Sequence, residues 1–135
     1  MCYNSDCRIE IKSSIDGSES NISVKGKVKK TPEGFRFDYV LDGDECTLTE
    51  NGVEVVQSRR GEQGIKMTFR KGEQTDCFLQ NGGFSGVFSV FTRDLQCTMR
   101  DINDKFGANS LFELLIVYTI GEQKIKLNFS AKYKI

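Results

Sequence analysis

Ile125, Leu127, Phe129, Ala131 and Tyr133 alternate with Lys124, Lys126, Asn128, Ser130, Lys132 and Lys134, and the same period of two recurs in short runs from Arg8 to the chain end. Successive side chains of a strand point to opposite faces, so this alternation is what a half-buried sheet requires and what a helix cannot use. The runs cover approximately residues 8–15, 20–30, 35–41, 45–50, 53–60, 65–70, 75–80, 85–93, 95–100, 110–120 and 122–133, with some joined into longer strands bent at Gly26 or Gly86. Only Ala108 and Ala131 are alanine, against ten phenylalanines and many Val, Ile and Thr, the residues that pleated sheets favour. Gly, Asn and Asp punctuate the runs. Asn51-Gly52 is the strongest hairpin signal and predicts a type I′ turn with both residues central; Thr31-Pro32-Glu33-Gly34 and Asp42-Gly43-Asp44 read as further turns.

The segment Leu111–Tyr118 is apolar on both faces, and Ser110 with Glu113 imitates a helix capping box. A helix is the alternative there; Ile116, Val117, Thr119, Ile120 and the stop at Gly121 favour a doubly covered strand. Short links make each strand antiparallel to its predecessor. So many strands in series leave exposed edges unless the sheet closes. The chain is therefore expected to form one domain over residues 1–135, an all-β, antiparallel, up-and-down barrel, with a sandwich as the alternative. At 135 residues a chain buries roughly two thirds of its unfolded surface, enough for a core without metal or disulfides.

The quoted residues also carry a likeness. Ile9-Glu10-Ile11-Lys12-Ser13, Gly52-Val53-Glu54-Val55-Val56 leading to Arg59-Arg60-Gly61, Met67-Thr68-Phe69, Gly72, and the placing of Phe37, Tyr39 and Thr92 resemble the small bacterial family of uncharacterised YwiB-like proteins. The resemblance implies a calycin-like (lipocalin-like) β-barrel and no particular activity. The chain departs from the pattern at Cys77-Phe78-Leu79-Gln80, which leaves the register of the middle strands open.

The chain contains no histidine, which removes His-based triads, Cys–His pairs and His metal sites. No glycine-rich phosphate loop opens a helix. Asp42, Asp44 and Glu45, and Asp101, Asn103 and Asp104, read as turn chemistry; neither cluster follows the EF-hand loop, since Lys105 falls where an oxygen ligand is needed. No catalytic residue, metal or cofactor is expected. Five cysteines at irregular spacing fit a reduced, cytoplasmic setting. Cys2 and Cys7 make a weak metal or redox pair. Cys46 and Cys97 share the phase of Leu48, Leu95 and Met99, which predicts both buried and unpaired. The first 20 residues lack a basic stretch followed by an apolar run, and no run approaches transmembrane length, so neither a signal peptide nor a membrane partner is expected.

Two faces could bind something. Phe37 and Tyr39 share one face of their strand; Val53, Val55, Gln57 and Arg59 share one of theirs, and Phe69 falls in phase with Ile65 and Met67. If these point inward, Arg59, Tyr39 and Gln57 are polar groups at the end of an apolar lining that includes Phe37 and Phe69, the composition of a site for a small, partly apolar, anionic ligand. The bland alternative is a barrel filled by its own side chains, with Arg59 paired to a carboxylate such as Glu113 or snorkelling at the rim. The second face is basic. Nineteen Lys/Arg cancel nineteen Asp/Glu overall, but residues 1–30 and 122–135 together carry ten and five. If the terminal strands are neighbours, Lys25, Lys27 and Lys29 join Lys124, Lys126, Lys132 and Lys134, and could contact a protein or RNA. The stripe lacks interleaved aromatic residues, so nucleic acid is disfavoured and solvated, edge-guarding lysines are the simpler reading.

Overall fold

The computed structural model describes residues 3–134, so Cys2, and with it the Cys2–Cys7 pair, lies outside the described residues. Ten strands follow one another: β1 (Tyr3–Ile15), β2 (Ser18–Lys30), β3 (Phe35–Leu41), β4 (Asp44–Glu50), β5 (Val55–Arg60), β6 (Gln63–Phe69), β7 (Gln74–Asn81), β8 (Phe84–Asp101), β9 (Ser110–Ile120) and β10 (Gln123–Tyr133). Each pairs antiparallel with its neighbours in sequence, and β1 closes the ring on β10 with Cys7–Ile15 against Tyr133–Ile125. The sheet is a closed up-and-down barrel, as the alternation and short links predict. The 110–120 segment is a strand, with Phe112, Leu114, Ile116 and Tyr118 buried on its inner face.

The runs 85–93 and 95–100 join into one strand, β8, with a bulge between Thr92 and Asp94. Two expectations need correction. Asn51-Gly52 is not a two-residue type I′ turn. β4 ends at Glu50 and β5 begins at Val55, and Asn51 Oδ1 accepts from the Val53 and Glu54 amides at 3.0 and 2.8 Å. The Asn51 side chain thus builds a four-residue loop, which throws Val53 out to 70% exposure instead of onto the inner wall with Val55. The positive φ pairs that type I′ demands occur at Asp16-Gly17 (49° and 88°) and Asp42-Gly43 (50° and 84°). Secondly, Cys46 is buried and free, but Cys97 is exposed. Its phase is inward, opposite Leu114 on β9; β7, however, pairs with β8 only as far as Phe91, so the inner face beyond the bulge overhangs with a neighbour on one side only.

Alternation fills the lower part of the barrel. Phe37, Leu48, Phe69, Phe112, Ile116 and Phe129 are at most 1% exposed. The Phe37 ring lies 4.8 Å from Phe112 and 5.1 Å from Phe129, and Phe69 lies 4.8 Å from Tyr118. Tilted and edge contacts of this kind add about 0.5–1.5 kcal/mol each beyond burial. The middle register, left open by the sequence, is Met67 opposite Cys77 opposite Phe88.

Candidate functional site

Antiparallel pairing places Tyr39, Cys46, Arg59, Ile65 and Leu79 in one row across the inner wall, and Phe37, Leu48, Gln57, Met67 and Cys77 in the next. The five sequence-derived ligand residues therefore do share the interior. Phe37 and Phe69 are part of the packed core; Tyr39 is 4% exposed; Gln57 is half-buried beside it.

Arg59 is already occupied. Its Nε donates to Asp44 Oδ2 at 2.7 Å, with the Asp44 side chain 11% exposed and the Arg59 side chain 29% exposed. That hydrogen bond holds the guanidinium above its ordinary pKa. Glu113 is not its partner: it faces outward and pairs with Arg100 at 3.2 Å. A close backbone approach seats the carboxylate, since a Cβ added to Gly61 would fall 1.7 Å from Asp44 Oδ1.

Two hydroxyls on the inner wall are orphaned. Tyr39 Oη and Thr92 Oγ1 are buried with no hydrogen-bond partner among the described residues. Gln57 lies close enough to lower the Tyr39 pKa without meeting hydrogen-bond geometry. Burial is the larger influence and, with the Cys46 thiol, pushes the phenol up to about 12. β3 and β8 stand five strands apart either way around the ten-strand ring, so the two hydroxyls belong to opposite walls. Above them, at the end carrying the turns 16–17, 42–43, 61–62, 82–83 and 121–122, inward-facing apolar side chains stay open to solvent: Ile15 43%, Ile22 39%, Phe84 57% and Phe88 42%. Phe84 and Phe88 flank Gly86 on that same face, 3.3 and 3.6 Å from where its Cβ would be.

A second feature lies outside the barrel. A groove of about 920 Å³ crosses the outer faces of β10, β1, β2, β3 and β4, beside the 102–109 loop. Arg8 stands opposite both Lys132 and Lys25. Lys27, Arg36 and Arg60 are each paired to an acid, with Asp6, Asp38 and Glu45 respectively. Asp104, on the loop, serves Arg8 and Lys132 together and accepts the Phe106 amide at 3.0 Å. Burial pushes the Asp104 carboxyl up, but the Phe106 amide, Arg8 and Lys132 outweigh it and hold the group below its ordinary value. Of the sequence-derived lysines, Lys132 and Lys134 join Lys25 and Lys27 here, whereas Lys124 and Lys126 lie at the far end of β10, beside Ser14 and the first hairpin turn. Neither Arg8 nor Phe106 is among the sequence-derived candidates. The even phase of Arg8 on β1 is a signal for the first; nothing local marks the second.

No protein-family model matches the chain, and no curated protein matches it. Among solved structures, the crystal structure of the ywiB protein from Bacillus subtilis is similar, with a TM-score of 0.78 at 14% identity, covering 98% of this chain and 94% of that one. At that identity the likeness shows the fold, the closed ten-strand barrel.

Proposed function

We propose that the barrel binds a small, partly apolar molecule through its open end, without chemical conversion, in a calycin-like manner. The observation that carries this reading is the pair of orphaned inner-wall hydroxyls, Tyr39 Oη and Thr92 Oγ1. A buried, unpaired polar group costs about 1–3 kcal/mol; a ligand with a hydrogen-bonding head would relieve that cost at both walls. The exposed inward-facing Ile15, Ile22, Phe84 and Phe88 offer an apolar tail its contacts. The set of donors also argues for binding over catalysis: a phenol raised to about 12, an amide and a guanidinium neutralised by Asp44 include no group that exchanges a proton near neutrality. Because Asp44 neutralises Arg59, a neutral polar head fits better than the carboxylate expected from Arg59 alone. Buried thiols at Cys7, Cys46 and Cys77 suit a reducing, cytoplasmic setting, and no helix of the described residues is long and apolar enough to cross a membrane.

Tyr39→Phe tests the reading. Because the hydroxyl has no partner, the unliganded variant should be as stable as the wild type or slightly more so. Thermal melts against a panel of fatty alcohols, fatty acids and monoacylglycerols should show a ligand that raises the wild-type melting temperature and shifts the variant much less. No shift for any member, or equal shifts in both proteins, would refute it.

A further inference from the structure

The outer groove has a charge arrangement that folding alone does not explain. Lys132, Arg8 and Lys25 stand directly opposite one another on three adjacent strands, and like charges so placed destabilise a sheet. Edge guarding accounts for Lys25, since β3 pairs with β2 only from Gly26 onward, but not for Arg8 and Lys132: at this row β1 is paired on both sides, and β10 is held between β1 and β9. Asp104 answers part of the charge on Arg8 and Lys132; Lys25 and Lys134 carry no ion pair among the described residues. The surplus positive charge is therefore concentrated beside the 102–109 loop, while the far side of the groove is balanced by Asp6, Asp38 and Glu45.

The same loop holds out an aromatic ring. Phe106 is 70% exposed, and its turn is fixed by Asp104 N to Ala108 O at 3.2 Å, Gly107 N to Asp104 O at 2.9 Å and Asn109 N to Tyr133 O at 3.0 Å. The Arg8 guanidinium lies 4.7 Å from the ring centroid and Lys105 Nζ 5.1 Å. A phenylalanine kept in solvent on a stitched turn, bordered by cations, has the composition of a base-stacking platform next to a phosphate track. This supplies the aromatic element missing from the lysine stripe in the sequence.

We propose that the groove binds single-stranded nucleic acid, with phosphates over Lys132, Arg8 and Lys25 and one unstacked base on Phe106. Single strands are favoured over duplexes because only an unpaired base offers its face to the ring.

Fluorescence anisotropy of the full chain with a labelled oligouridylate, an oligothymidylate and, as competitor, heparin tests this. Binding at low salt should weaken with added salt with a log–log slope of roughly −2, from about three phosphate contacts at about 0.7 each. Phe106→Ala, at an exposed position, should fold normally and weaken binding roughly tenfold or more without changing the slope. Lys25→Gln should weaken binding and make the slope shallower by about 0.7. The proposal is overturned if no oligonucleotide binds at low salt. It is also overturned if Phe106→Ala binds like the wild type, or if the labelled strand is displaced by heparin equally from wild type and Phe106→Ala, which would mark a polyanion surface with no use for the ring.

Discussion

Replacing Arg59 by methionine keeps most of the side chain's length and removes the charge that faces Asp44. The stranded group is the more enclosed of the two: the Asp44 side chain is 11% exposed against 29% for Arg59, and the close approach of Gly61 limits where its carboxylate can go. Exposed pairs contribute about 0.2–1 kcal/mol, while removing one partner of a fully buried pair costs about 3–5 kcal/mol. A pair with one end wet and one end dry belongs between, so Arg59→Met should destabilise the protein by about 2 kcal/mol. For a domain of this size that lowers the melting temperature by roughly 6–12 °C. Urea unfolding should show a lower midpoint at an unchanged m-value, since the exposed surface is the same. Most of the loss comes from the unpaired carboxylate, so Asp44→Asn in the same chain should restore at least about 1 kcal/mol relative to Arg59→Met alone. A single variant within about 0.5 kcal/mol of wild type would show the pair to be idle. A double variant as unstable as the sum of both singles would show that the carboxylate is not what Arg59 answers.

Two further outcomes follow from burial and charge. Native-state thiol labelling read by mass spectrometry should modify Cys97 first and Cys7, Cys46 and Cys77 only on unfolding, because exposure sets Cys97 apart even though partial burial pushes its thiol up to about 12; labelling of Cys46 ahead of Cys97 would contradict the inward register of β4. The Asp104 carboxyl is held below the ordinary aspartate value of 3.8, so its contribution to the 102–109 loop is fully present above that value and is lost as pH falls through the lower folded-state pKa. The Phe106 amide proton, followed by NMR, should titrate with a midpoint below 3.8; a midpoint at or above it would refute the Arg8–Asp104–Lys132 arrangement.

Phase is what the sequence expresses most directly. Phe35, Phe37 and Tyr39, Val55 and Gln57, and Ile125, Leu127, Phe129, Ala131 and Tyr133 all face inward as a period of two requires. Partners are less legible. Nothing in the local pattern of Arg59 distinguishes Asp44, fifteen residues away, from Glu113: the choice is made by register, which places Asp44 inside and Glu113 outside. Turn type failed for a local reason of its own. Asn51 prefers to accept its own downstream amides through Oδ1, a competing bond that opens the hairpin to four residues.

Unequal strand lengths account for what phase alone does not reveal. β3 to β7 run six to eight residues, while β1, β2 and β8 to β10 run eleven to eighteen. β3 reaches only Gly26–Lys30 of β2, so Ile22 keeps its inward phase but loses its cover and becomes part of the open rim. At the other end β8 outruns β7, which uncovers Cys97 and carries the chain far enough along β9 for the 102–109 loop to land on Arg8 and Lys132. A barrel of equal strands would bury Ile22 and Cys97 alike and would leave Phe106 without a groove to border. Both candidate sites, one inside and one outside, are therefore products of the same mismatch in strand length, which is set by where Asp16-Gly17, Asp42-Gly43 and the Asn51 loop turn the chain.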